Sequence, residues 1–145
     1  MVSTTKSLAI IFVGVMLGQT ANAKAMTSQE ILKLKDVIIY EEPVTETEKT
    51  TDWYATPVSV MAENAKTRRP EAIFFFVEST GYYGAFANHV QINCVNPSES
   101  FVKIDNNKNI SLKTSMAFEE NPYDKNFEYR MDRKAVEGIF AKFCK

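Results

Sequence analysis

The sequence predicts an α+β protein: a single domain built mainly on an antiparallel sheet of about five to six strands, covered by a C-terminal amphipathic helix and held by one disulfide. Three observations carry that expectation. Short runs of alternating or β-branched residues, separated by turn residues, recur between Asp36 and Phe118. Val136, Ile139, Phe140 and Phe143 then fall at i, i+3, i+4 and i+7, the stripe of a helix that must bury one face. Two cysteines, Cys94 and Cys144, stand in a strand-like run and at the end of that helix.

Residues 1–23 read as an export signal. Lys6 supplies a positive flank, Leu8 to Leu17 an apolar stretch, and Ala21-Asn22-Ala23 the small-x-small pattern that signal peptidase reads, so cleavage is expected before Lys24. The apolar stretch is too short to cross a bilayer, and Gln19-Thr20 end it without a stop-transfer pattern. Residues 24–145 then form the domain, with no second apolar run long enough to span and no cysteine at the cleavage site to carry a lipid. The expected location is periplasmic or secreted. There two cysteines allow one intramolecular pairing, Cys94 with Cys144, in a compartment where disulfides persist.

Thr27-Ser28-Gln29-Glu30 has the pattern of a capping box ahead of Ile31, Leu32 and Leu34, which predicts a short first helix. Asp36 to Tyr40 reads as a strand that stops at Glu41-Glu42-Pro43, and Glu41 to Asp52 as an acidic, solvated loop. Trp53 to Met61 is a second strand, with Trp53, Ala55 and Pro57 on one side and Pro57 marking an edge or a bulge. Ala62 to Pro70 is polar and basic, an exposed hairpin loop. Glu71 to Ser79 is the strongest strand: Phe74 and Phe76 point one way, Ile73, Phe75 and Val77 the other. Both faces are apolar, so the strand belongs in mid-sheet, with a helix expected over one face and a partner subunit over the other.

Ala85 to Cys94 alternates Val90, Ile92 and Cys94 against His89, Gln91 and Asn93, which turns Cys94 inward. After a turn at Asn96-Pro97-Ser98, Phe101 to Ile104 is a strand, Asp105 to Asn109 a tight turn, and Ile110 to Phe118 the expected hairpin partner. Glu119 to Phe127 is an irregular connector. Asp132 is the expected N-cap of the closing helix.

Composition narrows the function more than any motif. The chain has 17 Lys and Arg against 18 Asp and Glu, a formal net charge of −1, and losing Lys6 with the signal makes the mature chain slightly more acidic. That balance gives no electrostatic case for nucleic acid. His89 is the single histidine and sits on the polar side of its strand, away from Cys94, and no Ser stands in a GxSxG elbow. No glycine-rich phosphate loop and no metal-ligand spacing is present, so no cofactor, metal or catalytic residue is expected. Asn109-Ile110-Ser111 matches a glycosylation sequon, a pattern too short to decide anything. Two features could carry recognition: the basic loop residues Lys66, Arg68 and Arg69, and the amphipathic aromatics Trp53, Tyr54, Tyr82 and Tyr83.

Trp53-Tyr54 in an early strand, the strand end Val90-Gln91-Ile92-Asn93-Cys94, and a closing helix with Cys144 near the last residue together resemble the small surface-adhesin protein E group of Gram-negative bacteria. The resemblance implies an antiparallel sheet with helical cover, a bridge from sheet to C-terminal helix, dimerisation and binding to host matrix proteins. Members can be lipid-anchored, through a cysteine this chain lacks at its cleavage site, and no binding residue carries over. The expectation is an exported, non-enzymatic protein that binds a protein or envelope macromolecule, with a homodimer in view. The alternative is a periplasmic inhibitor or immunity protein acting on a toxin or cell-wall hydrolase. An enzyme built on His89 ranks behind both.

Overall fold

The computed structural model of the chain describes residues 25–42, 51–80, 86–119, 121 and 123–145. Residues 1–23, read from sequence as an export signal, most of the acidic 41–52 segment and Tyr82-Tyr83 lie outside them. Six strands form one antiparallel sheet in the order of the sequence: β1 (Val37–Glu42), β2 (Thr51–Glu63), β3 (Pro70–Thr80), β4 (Ala87–Asn93), β5 (Phe101–Asp105) and β6 (Lys108–Ser111). Among the described residues three α-helices accompany it, α1 (Ser28–Ile31), α2 (Leu112–Ala117) and α3 (Arg133–Phe143).

The capping box is complete. The Thr27 hydroxyl accepts from the Glu30 amide at 3.3 Å, and the Glu30 carboxylate accepts from the Thr27 amide at 2.7 Å. After α1, Asp36 takes a positive φ of 46°, a conformation that Asp tolerates better than most residues. Its amide donates to the Thr56 hydroxyl, which donates in turn to the Asp36 carboxylate, both at 3.1 Å. β1 runs two residues further than the sequence suggests, because Glu41 and Glu42 find ladder partners in Asp52 and Thr51. Pro57 marks a bulge and not an edge: β2 pairs on both sides, and the register shifts between Pro57 and Ser59.

β3 lies in mid-sheet between β2 and β4, as its two apolar faces require. On the inner face Ile73, Phe75 and Val77 are fully buried. Val90, Ile92, Val102, Trp53 and Ala55 join them in one cluster with Ile31 of α1, Leu112 of α2 and Ala135, Ile139 and Phe143 of α3. Phe75 and Phe143 meet directly, with ring centroids 4.7 Å apart. Every helix therefore turns its buried side chains to the same face of the sheet.

One expected strand is corrected. Ile110 to Phe118 does not continue as a hairpin partner: the strand ends at Ser111 and Leu112–Ala117 is helical. The Ser111 hydroxyl caps that helix by accepting from the Thr114 amide at 3.1 Å. Leu112 and Ser115, three apart, are the residues it buries, a helical period that overrides strand alternation. Buried Ser115 donates to the Tyr129 carbonyl and accepts from the Met131 amide, fixing the connector to α3.

The closing helix forms where the stripe places it. The Asp132 carboxylate caps it, accepting from the Lys134 amide at 2.7 Å, and Val136, Ile139 and Phe143 are buried while Phe140 is half-buried. Cys144, its C-cap, is bonded to Cys94 just past β4, with Cα atoms 5.2 Å apart. The bridge joins α3 to the middle of the sheet.

Candidate functional site

With all three helices on the inner face, the other face of the sheet has no helical cover among the described residues. Strand alternation decides what stands there. Trp53, Ala55, Phe75 and Val90 point inward, so Tyr54, Thr56, Phe74, Phe76, His89 and Gln91 point outward. Register brings them into rows. Thr56, Phe76 and His89 are direct cross-strand partners, and so are Phe74, Gln91 and Phe101. Lys103, two residues beyond Phe101, lies on the same side.

The centre of this face is an aromatic and imidazole group. The His89 ring lies parallel to Phe74, 3° between planes and 5.2 Å between centroids, and it is tilted by 58° against Phe76 at the same distance. The Lys103 ammonium sits 5.9 Å from the Phe74 centroid, a cation facing the ring. Phe74, Phe76 and Phe101 are half-buried and His89 is exposed. The Phe74 and Phe76 rings thus both pack against the imidazole, which remains in reach of solvent.

The margin of the face on β1 and β2 is acidic. The Tyr54 hydroxyl donates to the Asp52 carboxylate at 3.4 Å. Its pKa is raised, first because burial disfavours the phenolate and then because Asp52 repels that charge and accepts the proton's hydrogen bond; Glu41 and Asp36 add to the repulsion. Glu78, the cross-strand partner of Tyr54, is exposed. Acids thus stand on one margin of the face and Lys103 toward the other.

Among the described residues His89 makes no hydrogen bond to a Ser, Tyr or acid, its neighbours being phenylalanine rings. No group of three or more His, Cys, Asp or Glu residues that could hold a metal occurs among the described residues.

The recognition residues picked out from sequence are dispersed. Trp53 is core: it is 4% exposed, and its ring lies 5.3 Å from that of Phe86, so it is not offered to a partner. Tyr54 stands on the open face. Tyr82 and Tyr83 lie outside the described residues. Lys66, Arg68 and Arg69 form the loop between β2 and β3, where the Asn64 side chain accepts from the Lys66 and Thr67 amides. Arg68 bonds Glu63 at 3.1 Å, and Glu71 is held at the loop base by the Asn64 amide group. These acids reduce the local positive field. The residues that sequence alone did not bring together are Phe74, Phe76, His89, Phe101 and Lys103. Parity placed Phe74, Phe76 and His89 on sides of their own strands, but cross-strand register was needed to unite them.

No family model, curated protein or solved structure matches the chain.

Proposed function

We propose that this chain is an exported, non-enzymatic binding protein that engages a macromolecular partner through the open face of its sheet, in the manner of the surface-adhesin protein E group it resembles. One observation carries the reading: the side of the central strand that has no helical cover among the described residues holds Phe74 and Phe76 packed around exposed His89, with Lys103 and Phe101 beside them. Aromatic residues, phenylalanine among them, are enriched at protein contacts, where a rigid ring supplies area at little entropic cost. A disulfide across 50 residues suits a protein that works outside the reducing cytoplasm, in the periplasm or beyond the cell.

The reading is tested by placing a photo-crosslinking amino acid at His89 in the protein expressed with its own leader, and a control at Lys134 on the helical side. A macromolecular adduct from position 89 and none from 134 supports it. Adducts at both positions or at neither overturn the assignment of this face. If the trapped partner is a cell-wall hydrolase or toxin, the role is that of an inhibitor or immunity protein. Amino-terminal sequencing of the exported form should begin at Lys24; retention of the leader would remove the export claim.

A further inference from the structure

On the helical side of the molecule, away from the open sheet face, a groove of about 470 Å³ runs along α3. Its floor is apolar: Met116 from α2, and Val136, Phe140 and Ala141 from α3. The volume lies within the range of sites that hold small molecules. Arg133 and Lys145 also line it, twelve positions apart in sequence and so toward opposite ends of a helix about 16 Å long.

The charges are unequal. Glu137, the acid in the lining, is engaged by Lys134 at 3.7 Å. Arg133 and Lys145 have no ion pair among the described residues. The groove therefore keeps positive charge over an apolar floor, and α3 presents two working stripes. Ala135, Ile139 and Phe143 go to the core, whereas Arg133, Phe140 and Ala141 face the groove. Met116 lends the floor an unbranched side chain that adapts to an irregular ligand.

We infer that this groove binds a monomeric single-chain anionic amphiphile, a molecule with one alkyl chain and a carboxylate head. The chain lies on Met116, Val136 and Phe140, and the head meets Arg133 or Lys145 while remaining in water. A neutral apolar ligand would leave both cations unused, and a cationic one would be repelled. Burial of methylenes drives the binding, so each added pair of carbons tightens it by a few-fold to about tenfold. This site is independent of the proposed role of the sheet face.

The test is calorimetric titration of the disulfide-bonded protein with sodium laurate below its micelle concentration, with decanoate and dodecyltrimethylammonium alongside. Laurate should bind at one site, decanoate several-fold more weakly, and the cation not at all. Arg133→Gln with Lys145→Gln should weaken laurate binding about tenfold or more. Ala141→Gln, an exposed helix position whose longer side chain fills the groove, should abolish it while circular dichroism stays unchanged. Equal binding of laurate and the cation, laurate binding that survives Ala141→Gln, or no laurate binding overturns the proposal. Vesicles of anionic phospholipid form a second arm: recruitment to them that Ala141→Gln removes would make a bilayer surface the ligand and overturn the monomeric assignment.

Discussion

The carbonyl oxygen of Ile39 occupies the place where a side chain on Gly138 would begin. A Cβ built on that glycine lies 1.8 Å from the oxygen and 2.8 Å from the carbonyl carbon. α3 therefore rests directly on the backbone of β1, and no residue but glycine fits without moving one of them. Gly138→Ala would favour an isolated helix by about 1 kcal/mol. In this fold it should instead destabilise by about 1 to 3 kcal/mol, as overpacking does. Urea unfolding measures the difference, and a variant as stable as the parent would mean that α3 does not seat on β1.

Phe143 and the adjoining bridge hold the other end of the helix. Phe143 is 4% exposed and touches Phe75, so Phe143→Ala should cost about 3 to 5 kcal/mol. Replacing Cys94 and Cys144 together by serine releases a loop of 50 residues, worth about 4 kcal/mol in the chain-entropy treatment. Non-reducing peptide mapping should recover the Cys94 to Cys144 linkage. A loss below 1 kcal/mol for Phe143→Ala would place that side chain outside the core.

Tyr54 offers a pH-dependent signature of the open face. Tyr40, Tyr54 and Tyr129 all have pKa values above the ordinary 10.0, burial being the first cause in each case. The folded state therefore holds these phenolic protons more tightly than the unfolded chain. The resulting stability is present below pH 10 and is lost as pH rises through the folded values. Ultraviolet titration should show Asp52→Asn lowering the Tyr54 midpoint only part of the way, since burial remains. An unchanged midpoint would separate Tyr54 from Asp52.

Much of this was legible in the residues because it depends on local pattern. The capping box at Thr27 and Glu30, the alternation that turns Cys94 inward, and the α3 stripe are each set by spacing within one element. Export, adhesin likeness and the choice of partner rest on that reading alone. Ile110 to Phe118 reads as a strand because the alternating Ile110, Leu112 and Thr114 suit a strand as well as a helix, and the deciding groups, Tyr129 and Met131, are distant in sequence and bond Ser115. The contact between Gly138 and Ile39 is a tertiary packing event with no one-dimensional sign. So is the meeting of Phe74, Phe76 and His89, which needs the register of two strand pairs.

Arg68 contributes to the fold through its backbone more than through its charge. Its φ is 57°, and its carbonyl accepts from the Ser28 amide at 3.0 Å and the Ser28 hydroxyl at 3.3 Å. Arg68→Gly should therefore be neutral or stabilise by up to about 1 kcal/mol, whereas Arg68→Val should destabilise by about 1 to 2 kcal/mol. Thermal unfolding distinguishes the two. Equal losses for both would show the guanidinium to be the contributor, although its exposed pair with Glu63 is of a kind worth less than about 1 kcal/mol.

The strictly sequential strand order has a kinetic consequence. Each strand of the sheet pairs with its neighbours in the chain, so pairing can zip from β1 to β6 as the polypeptide is synthesised, with small loop-closure costs at each step. The closing helix is different: it meets the first strand and packs against Phe75 of the third. Until those final residues arrive, the inner face of the sheet is an exposed apolar surface, and Cys94 waits for its partner. A nascent chain stalled before α3 is thus the species most in need of a chaperone, and the docking of α3 is the event that covers the sheet.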